Sequence, residues 1–219
     1  MTTVYFIRHS VRFKNSNILS YNTPYENYMK DEKIILDVEG ENRARILSEE
    51  DEFKHIDKIY ASDMVRSQAT AKYFCNKFNL GLNIDCRLNE RRCGIPNDKE
   101  FPDWFQRQYL DENFKTVGGE SQVDVRNRVL EFFDEMLEEN KDKTIAVFAH
   151  GYAITFSILK WCKLIGIDEN KVLTIEYNGK PLINKRLNAP EVFKMTFDNK
   201  ELTNIELLEF DDLPFTIGL

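Results

Sequence analysis

Histidine is scarce in this 219-residue chain, with three residues, and cysteine (four), proline (six) and glycine (nine) are little used. The cysteines, Cys75, Cys86, Cys93 and Cys162, are scattered and form no C-x-x-C pair. They are expected to be reduced, mostly buried thiols of a cytoplasmic protein rather than a disulfide frame. So little glycine and proline excludes collagen-like or linker-dominated designs. No apolar stretch approaches about 18 residues, so no membrane span is expected. The opening MTTVYFIRHSVRF lacks a cationic region followed by an apolar run of about 7–15 residues, so no signal peptide is expected. Positive charge is in the minority: 30 Lys and Arg face 37 Asp and Glu, a net charge of −7. That balance argues against nucleic acid or an anionic membrane as partner and leaves room for a local basic pocket. There is no G-x-S-x-G elbow, no phosphate-binding G-x-x-x-x-G-K-[ST] loop and no G-x-G-x-x-G. The dispersed histidines offer no H-x-x-x-H pair for a metal-dependent hydrolase, so no metal and no cofactor are expected.

What is present is ordinary globular composition: 42% hydrophobic residues, 31% charged residues and 16 Phe. The length suits one sizeable domain, with no repeat, low-complexity tract or clear linker. Residues 3–7 (TVYFI) read as a buried strand. A polar loop of about 25 residues follows, then a helix over 40–47. Residues 58–61 (KIYA) form a second strand running into Ser62, a good N-cap, and a helix with apolar residues from Met64 to Phe78. Residues 82–84 suggest a third strand. The segment 91–118 is irregular, with a short helix near 104–110, and is expected to cap the pocket, Trp104 being a candidate lining residue. Ser121 and Asp124 read as a capping box opening a long helix with a stripe from Val125 to Leu137. Residues 144–149 (TIAVFA) are the strongest strand, and 153–164 read as a buried apolar helix. Residues 192–197 and 204–208 form a hairpin around 198–200. Alternating strands and helices imply an α/β fold with a largely parallel sheet.

Ligands of such sheets bind beyond the carboxyl ends of the strands. There the chain places Arg8-His9, Ser62-Asp63 with Arg66 one turn on, and His150-Gly151. Imidazole can carry a covalent intermediate. Guanidinium matches phosphate oxygens and stays charged, and a strand-to-helix loop adds N–H donors. This kit points to phosphoryl transfer without a metal.

The residues then resemble a family. Arg8-His9-Ser10 resembles the Arg-His-Gly signature of the histidine phosphatase superfamily, the phosphoglycerate mutase-like proteins. Leu36 to Gly40 with Ala44 and Leu47, the block ASDMVRSQATA at 61–71, LNERRCG at 88–94, Gly119-Glu120-Ser121, and VFAHG at 147–151 are similar to further family motifs in the family's order, over roughly 3–197. The resemblance implies a three-layer α/β/α sandwich with a mostly parallel central sheet, and one domain over 1–219 with 91–118 as a cap or lid-like insertion. It implies His9 as phosphate acceptor, with Arg8, Arg66 and His150 around the phosphoryl oxygens. Asn15 matches a phosphate-contacting Asn, and Gly151 belongs to the same phosphate-binding set. Glu90 matches the carboxyl that protonates the leaving oxygen and later activates water.

Ser10 and Val11 stand where the family often has Gly and Glu, and Arg12 and Lys14 add positive charge in the same loop. Ser10, Arg12, Arg91 and Arg92 are candidate substrate contacts, and His55 is assigned to the surface. The expected activity is a metal-independent phosphomonoester hydrolase for a small phosphorylated metabolite. A phosphoglycerate mutase-type phosphotransferase shares the same site, and a non-catalytic phospho-ligand binder is the third reading. Oligomeric state stays open; a homodimer is one outcome, because exposed edges of such sheets commonly pair.

Overall fold

The computed structural model describes residues 1–14, 24–94 and 103–216. Its central sheet has the order β3-β2-β4-β1-β8-β9. The strands are β1 (Thr2–Arg8), β2 (Lys58–Ala61), β3 (Leu82–Ile84), β4 (Thr144–Ala149), β8 (Glu191–Asp198) and β9 (Glu201–Leu208). The first four run parallel; β8 runs antiparallel to β1, and β9, antiparallel to β8, returns to the direction of the first four. β1 and β4 lie inside the sheet with both faces covered, which is why TVYFI and TIAVFA are continuous apolar runs without alternation.

Each face receives a helical layer. Val4, Phe6, Ile145 and Val147 point to α5 (Gln122–Glu139) and α6 (Gly151–Ile158), burying Val129, Phe132, Phe133 and Phe156. Tyr5, Ile7, Ala146 and Phe148 point the other way, to α2 (Val38–Glu49) and α3 (Val65–Phe78), burying Leu47, Ala71 and Phe74. The molecule is therefore the expected α/β/α sandwich. Helix α5 begins at Ser121, whose side chain accepts from Asp124 N while Asp124 accepts from Ser121 N, the capping box read from the sequence.

Several segments differ from the sequence reading. Part of the polar loop after β1 is a helix, α1 (Pro24–Glu32). Its apolar residues are too few for a periodic stripe, so composition concealed it. The helix expected over 153–164 stops at Ile158, and Lys163–Ile167 becomes strand β5. It pairs with β6 (Leu173–Tyr177), which pairs with β7 (Lys180–Ile183), an antiparallel three-stranded sheet not read from the sequence. A short apolar run suits a buried helix or a strand equally, and pairing partners decided it. Ser62 does not cap α3; Met64 occupies that position without a side-chain cap bond. Cys75, Cys93 and Cys162 are free and half-buried and Cys86 is exposed, so the thiols are less buried than expected. The tail docks through Leu213, which is buried, and through Thr216 N, which donates to Asn188 Oδ1 at 2.9 Å.

Candidate active site

Strand register builds the site. Arg8 lies opposite Ala149, so β1 and β4 end level, and His9 N donates to Ala149 O at 3.0 Å. On the other side Ser62 N donates to Phe148 O at 3.1 Å, so β2 ends there too. His9, Ser62 and His150 thus leave adjacent strands at one point, and the two imidazole centroids stand 5.0 Å apart.

Gly40 sets the loop after His9 from beneath. A Cβ there would lie 2.0 Å from Val11 O, so only glycine lets α2 approach. Asp37 N donates to the same carbonyl at 3.2 Å, and the Asp37 side chain caps α2 at Gly40 N. On α3, Thr70 Oγ1 accepts from Ser10 N at 3.0 Å and donates to Arg66 O at 2.8 Å. One helical turn therefore holds both the loop and Arg66.

The hydrogen bonds assign the imidazoles. His9 Nδ1 lies 2.7 Å from Ser10 O; a carbonyl only accepts, so Nδ1 carries the proton. Nε2 keeps its lone pair and accepts from Arg66 Nε at 3.2 Å. Ser62 Oγ accepts from Met64 N and lies 2.7 Å from His150 Nε2. Its hydroxyl proton has that nitrogen as acceptor, which puts the His150 proton on Nδ1. His150 Nδ1 and Ser10 Oγ are buried and have no partner among the described residues. Buried polar atoms are nearly always hydrogen-bonded, so such a pair marks a place for a polar ligand.

Burial, reinforced by Arg66 and Arg8, holds His9 well below the ordinary histidine range. Burial, then Arg66 and His9, does the same to His150. Both rings are neutral. Glu90 goes the other way: burial raises its carboxyl and Asp31 adds to this, against hydrogen bonds from Arg91 N and Tyr152 N and the charge of Arg66. Its oxygens accept from Arg91 N at 2.9 Å, Ala153 N at 3.2 Å and Tyr152 N at 3.3 Å, pinning it to the start of α6. A Cβ on Gly151 would stand 3.7 Å from Arg8 Nε and 3.9 Å from Glu90 Oε2, so Arg8, Glu90 and Gly151 are neighbours.

Arg8 Nη1 donates to the Leu187 and Asn188 carbonyls at 2.9 Å each. Arg43 on α2 clamps the same segment, through Ala189 O and Asn188 Oδ1. Arg91 is buried and turned inward: Nε donates to Glu120 O, Nη1 to Gln108 Oε1, and the group lies over the Tyr152 and Phe156 rings. Arg92 is exposed, 3.5 Å from Glu120 and over the Tyr28 ring. Arg12 Nη1 lies 3.4 Å from Asp31 Oδ1, and Lys14 is exposed. Asn15 lies outside the described residues. Trp104 packs edge-on against Phe105 on α4 (Trp104–Leu110). His55 is exposed beside Asp57.

Sequence reasoning missed Ser62 as the partner of His150, and Asp31 and Tyr28 on α1. Ser62 had a usable signal, its place at a strand end beside the histidine motifs. Asp31 had none.

Fold and site together define an α/β protein organised around paired neutral imidazoles and buried guanidinium groups at the carboxyl end of a parallel sheet. The chain belongs to the histidine phosphatase superfamily (branch 1), whose sequence profile matches residues 4–179. Phosphoserine phosphatase 1 from Hydrogenobacter thermophilus is 28% identical over 141 residues, 60% of this chain. The match spans 65% of the length of that curated relative. Among solved structures, a native mycobacterial glucosyl-3-phosphoglycerate phosphatase superposes with a TM-score of 0.66 at 18% identity, covering 94% of this chain and 96% of that one. A phosphoserine phosphatase mutant from Entamoeba histolytica in complex with phosphoserine gives 0.62 at 15% identity, covering 94% and 97%. At these identities the likeness establishes the fold. No helix among the described residues is long and apolar enough to cross a membrane.

Proposed function

We propose that this protein hydrolyses a phosphomonoester of a small metabolite through a phosphohistidine on His9, in the cytoplasm and without a metal. The observation that carries the reading is the proton-free His9 Nε2, held against Arg66 Nε and facing a buried imidazole whose Nδ1 has no partner among the described residues.

In the first step His9 Nε2 attacks phosphorus, a P–N bond forms and the P–O ester bond breaks. Glu90, whose proton affinity burial raises, gives its proton to the departing oxygen. Arg66, Arg8, His150 Nδ1–H and Ser10 Oγ–H bind the three phosphoryl oxygens, Asn15 and the Gly151 amide complete the set, and fixed donors need no reorganisation as charge develops. In the second step water attacks phosphorus, the P–N bond breaks, and Glu90 carboxylate takes the water proton. Inorganic phosphate leaves and neutral His9 returns. The relatives named for phosphoserine and for glucosyl-3-phosphoglycerate support a small organic phosphate as substrate. We include in this reading a single unit over 1–219 in which 91–118 caps the pocket. It is supported by Gln108 Nε2, which donates from within that segment to Tyr152 OH on α6 at 3.2 Å.

The test is rapid-quench labelling with a labelled aryl phosphate in the presence of a chelator. Acid-labile, alkali-stable label should appear on His9 and vanish with activity in His9→Ala. Label on serine or aspartate, or full activity in His9→Ala, overturns the proposal.

A further inference from the structure

The outward donors of Arg66 are already engaged. Nη1 donates to the main-chain carbonyl of Asp31 at 2.6 Å and Nη2 to Asp31 Oδ2 at 3.0 Å. The other carboxylate oxygen, Oδ1, lies 3.4 Å from Arg12 Nη1. Arg66 is 2% exposed and Asp31 25%, so this pair is screened far less than a surface one. Asp31 reaches the site from near the end of α1, and its charge acts on Glu90.

A carboxylate and the face of a phosphoryl group offer a guanidinium fork the same thing: paired oxygens that accept parallel N–H bonds. Both cannot occupy the same donors, and two anions held this close in a poorly screened site repel. We propose that Asp31 is a resident anion of the phosphoryl site: its carboxylate competes with phosphoryl oxygens for Arg66 and Arg12, so every phosphoryl ligand must displace it. The inference rests on the phosphoryl-site reading given above and adds to it a residue that sets affinity.

Internal competition has a distinct signature. Whatever the ligand carries beyond its phosphoryl group, its dissociation constant rises by one common factor, the cost of clearing the site. The product, inorganic phosphate, is weakened equally, so Asp31 also eases product release. A residue that merely braced α1 would not scale all ligands together.

The test uses the full chain with Asp31→Asn, Asp31→Ala and Asp31→Glu. Inorganic phosphate is titrated by calorimetry, and the KM for an aryl phosphate is measured alongside. In the Asn and Ala variants the phosphate Kd should fall at least about tenfold, or about 1.4 kcal/mol, with KM falling by the same factor. The Glu variant, which keeps the carboxylate, should stay within about threefold of the parent. Unchanged or weaker phosphate binding in both the Asn and Ala variants overturns the proposal. A crystal structure of the parent protein with phosphate provides a check independent of the variants' folding: Asp31 should have left Arg66 Nη2, and phosphate seated with that bond intact overturns it. If His9→Ala stays active while the Asp31 effects appear, the phosphohistidine step fails and the resident anion stands. If phosphate binds none of these proteins, the site reading fails and takes this inference with it.

Discussion

Nothing distinguishes His9 from a structural histidine until its two nitrogens are accounted for. The carbonyl of Ser10 fixes the proton on Nδ1, and Arg66 holds the bare Nε2. Neutrality extends to acid because burial and the neighbouring guanidinium groups depress the ring. The requirement for a neutral nucleophile therefore limits activity only below the ordinary histidine range. Glu90 is raised, so the alkaline limb for substrates with poor leaving groups should lie above the usual carboxylate range, as the acid loses its proton with rising pH. In Glu90→Gln, turnover of an alkyl phosphate should fall by about 10²–10⁴-fold and that of a good aryl leaving group much less. Equal slowing of both substrates would remove Glu90 as the acid. Ser62→Ala should leave His150 without the bond that places its proton. One such buried bond, about 1–3 kcal/mol, corresponds to roughly tenfold to a hundredfold in kcat, and an unchanged kcat would detach Ser62 from the site.

Elements were legible where they carried both a pattern and a punctuation mark. The capping box of α5 and the runs of β1 and β4 stood in the sequence as they stand in the fold. Helix α1 and strand β5 were hidden, the first for want of apolar residues and the second because an apolar run is ambiguous between helix and strand until a partner appears. Gly40 shows what an element can require of one residue. Gly40→Ala would drive a methyl group into the Val11 carbonyl, which is backbone and cannot rotate away. A loss of about 3 kcal/mol is expected in chemical denaturation. KM should rise as well, since the same carbonyl belongs to the loop that follows His9. Retention of both values would show that α2 can move aside freely.

Across the whole molecule, the site draws stability out of the fold in a pH-dependent way. His9 and His150 have lowered proton affinity when folded, so below the ordinary histidine pKa the unfolded chain binds more protons. Stability contributed by keeping these rings neutral is complete above about pH 6.5 and is lost as pH falls below it. Each ring accounts for up to about 1.4 kcal/mol per pH unit until the depressed folded value is reached. As pH drops from 7 to 5, the urea midpoint of the parent should therefore fall relative to that of a double variant, His9→Asn with His150→Asn. Parallel curves would mean that the rings are not held neutral.

The sequence by itself determined the layers, because continuous apolar runs demand covering on both faces and periodic stripes supply the cover. It also determined the chemical kit, since Arg8, His9, Arg66 and His150 sit where strands end and helices begin. Only the tertiary structure decided which nitrogen of each histidine is free, that Ser62 serves His150 rather than α3, and that Asp31 lies on Arg66. Those outcomes depend on contacts between side chains far apart along the chain, and periodicity, which reports only neighbours on one element, carries no record of them.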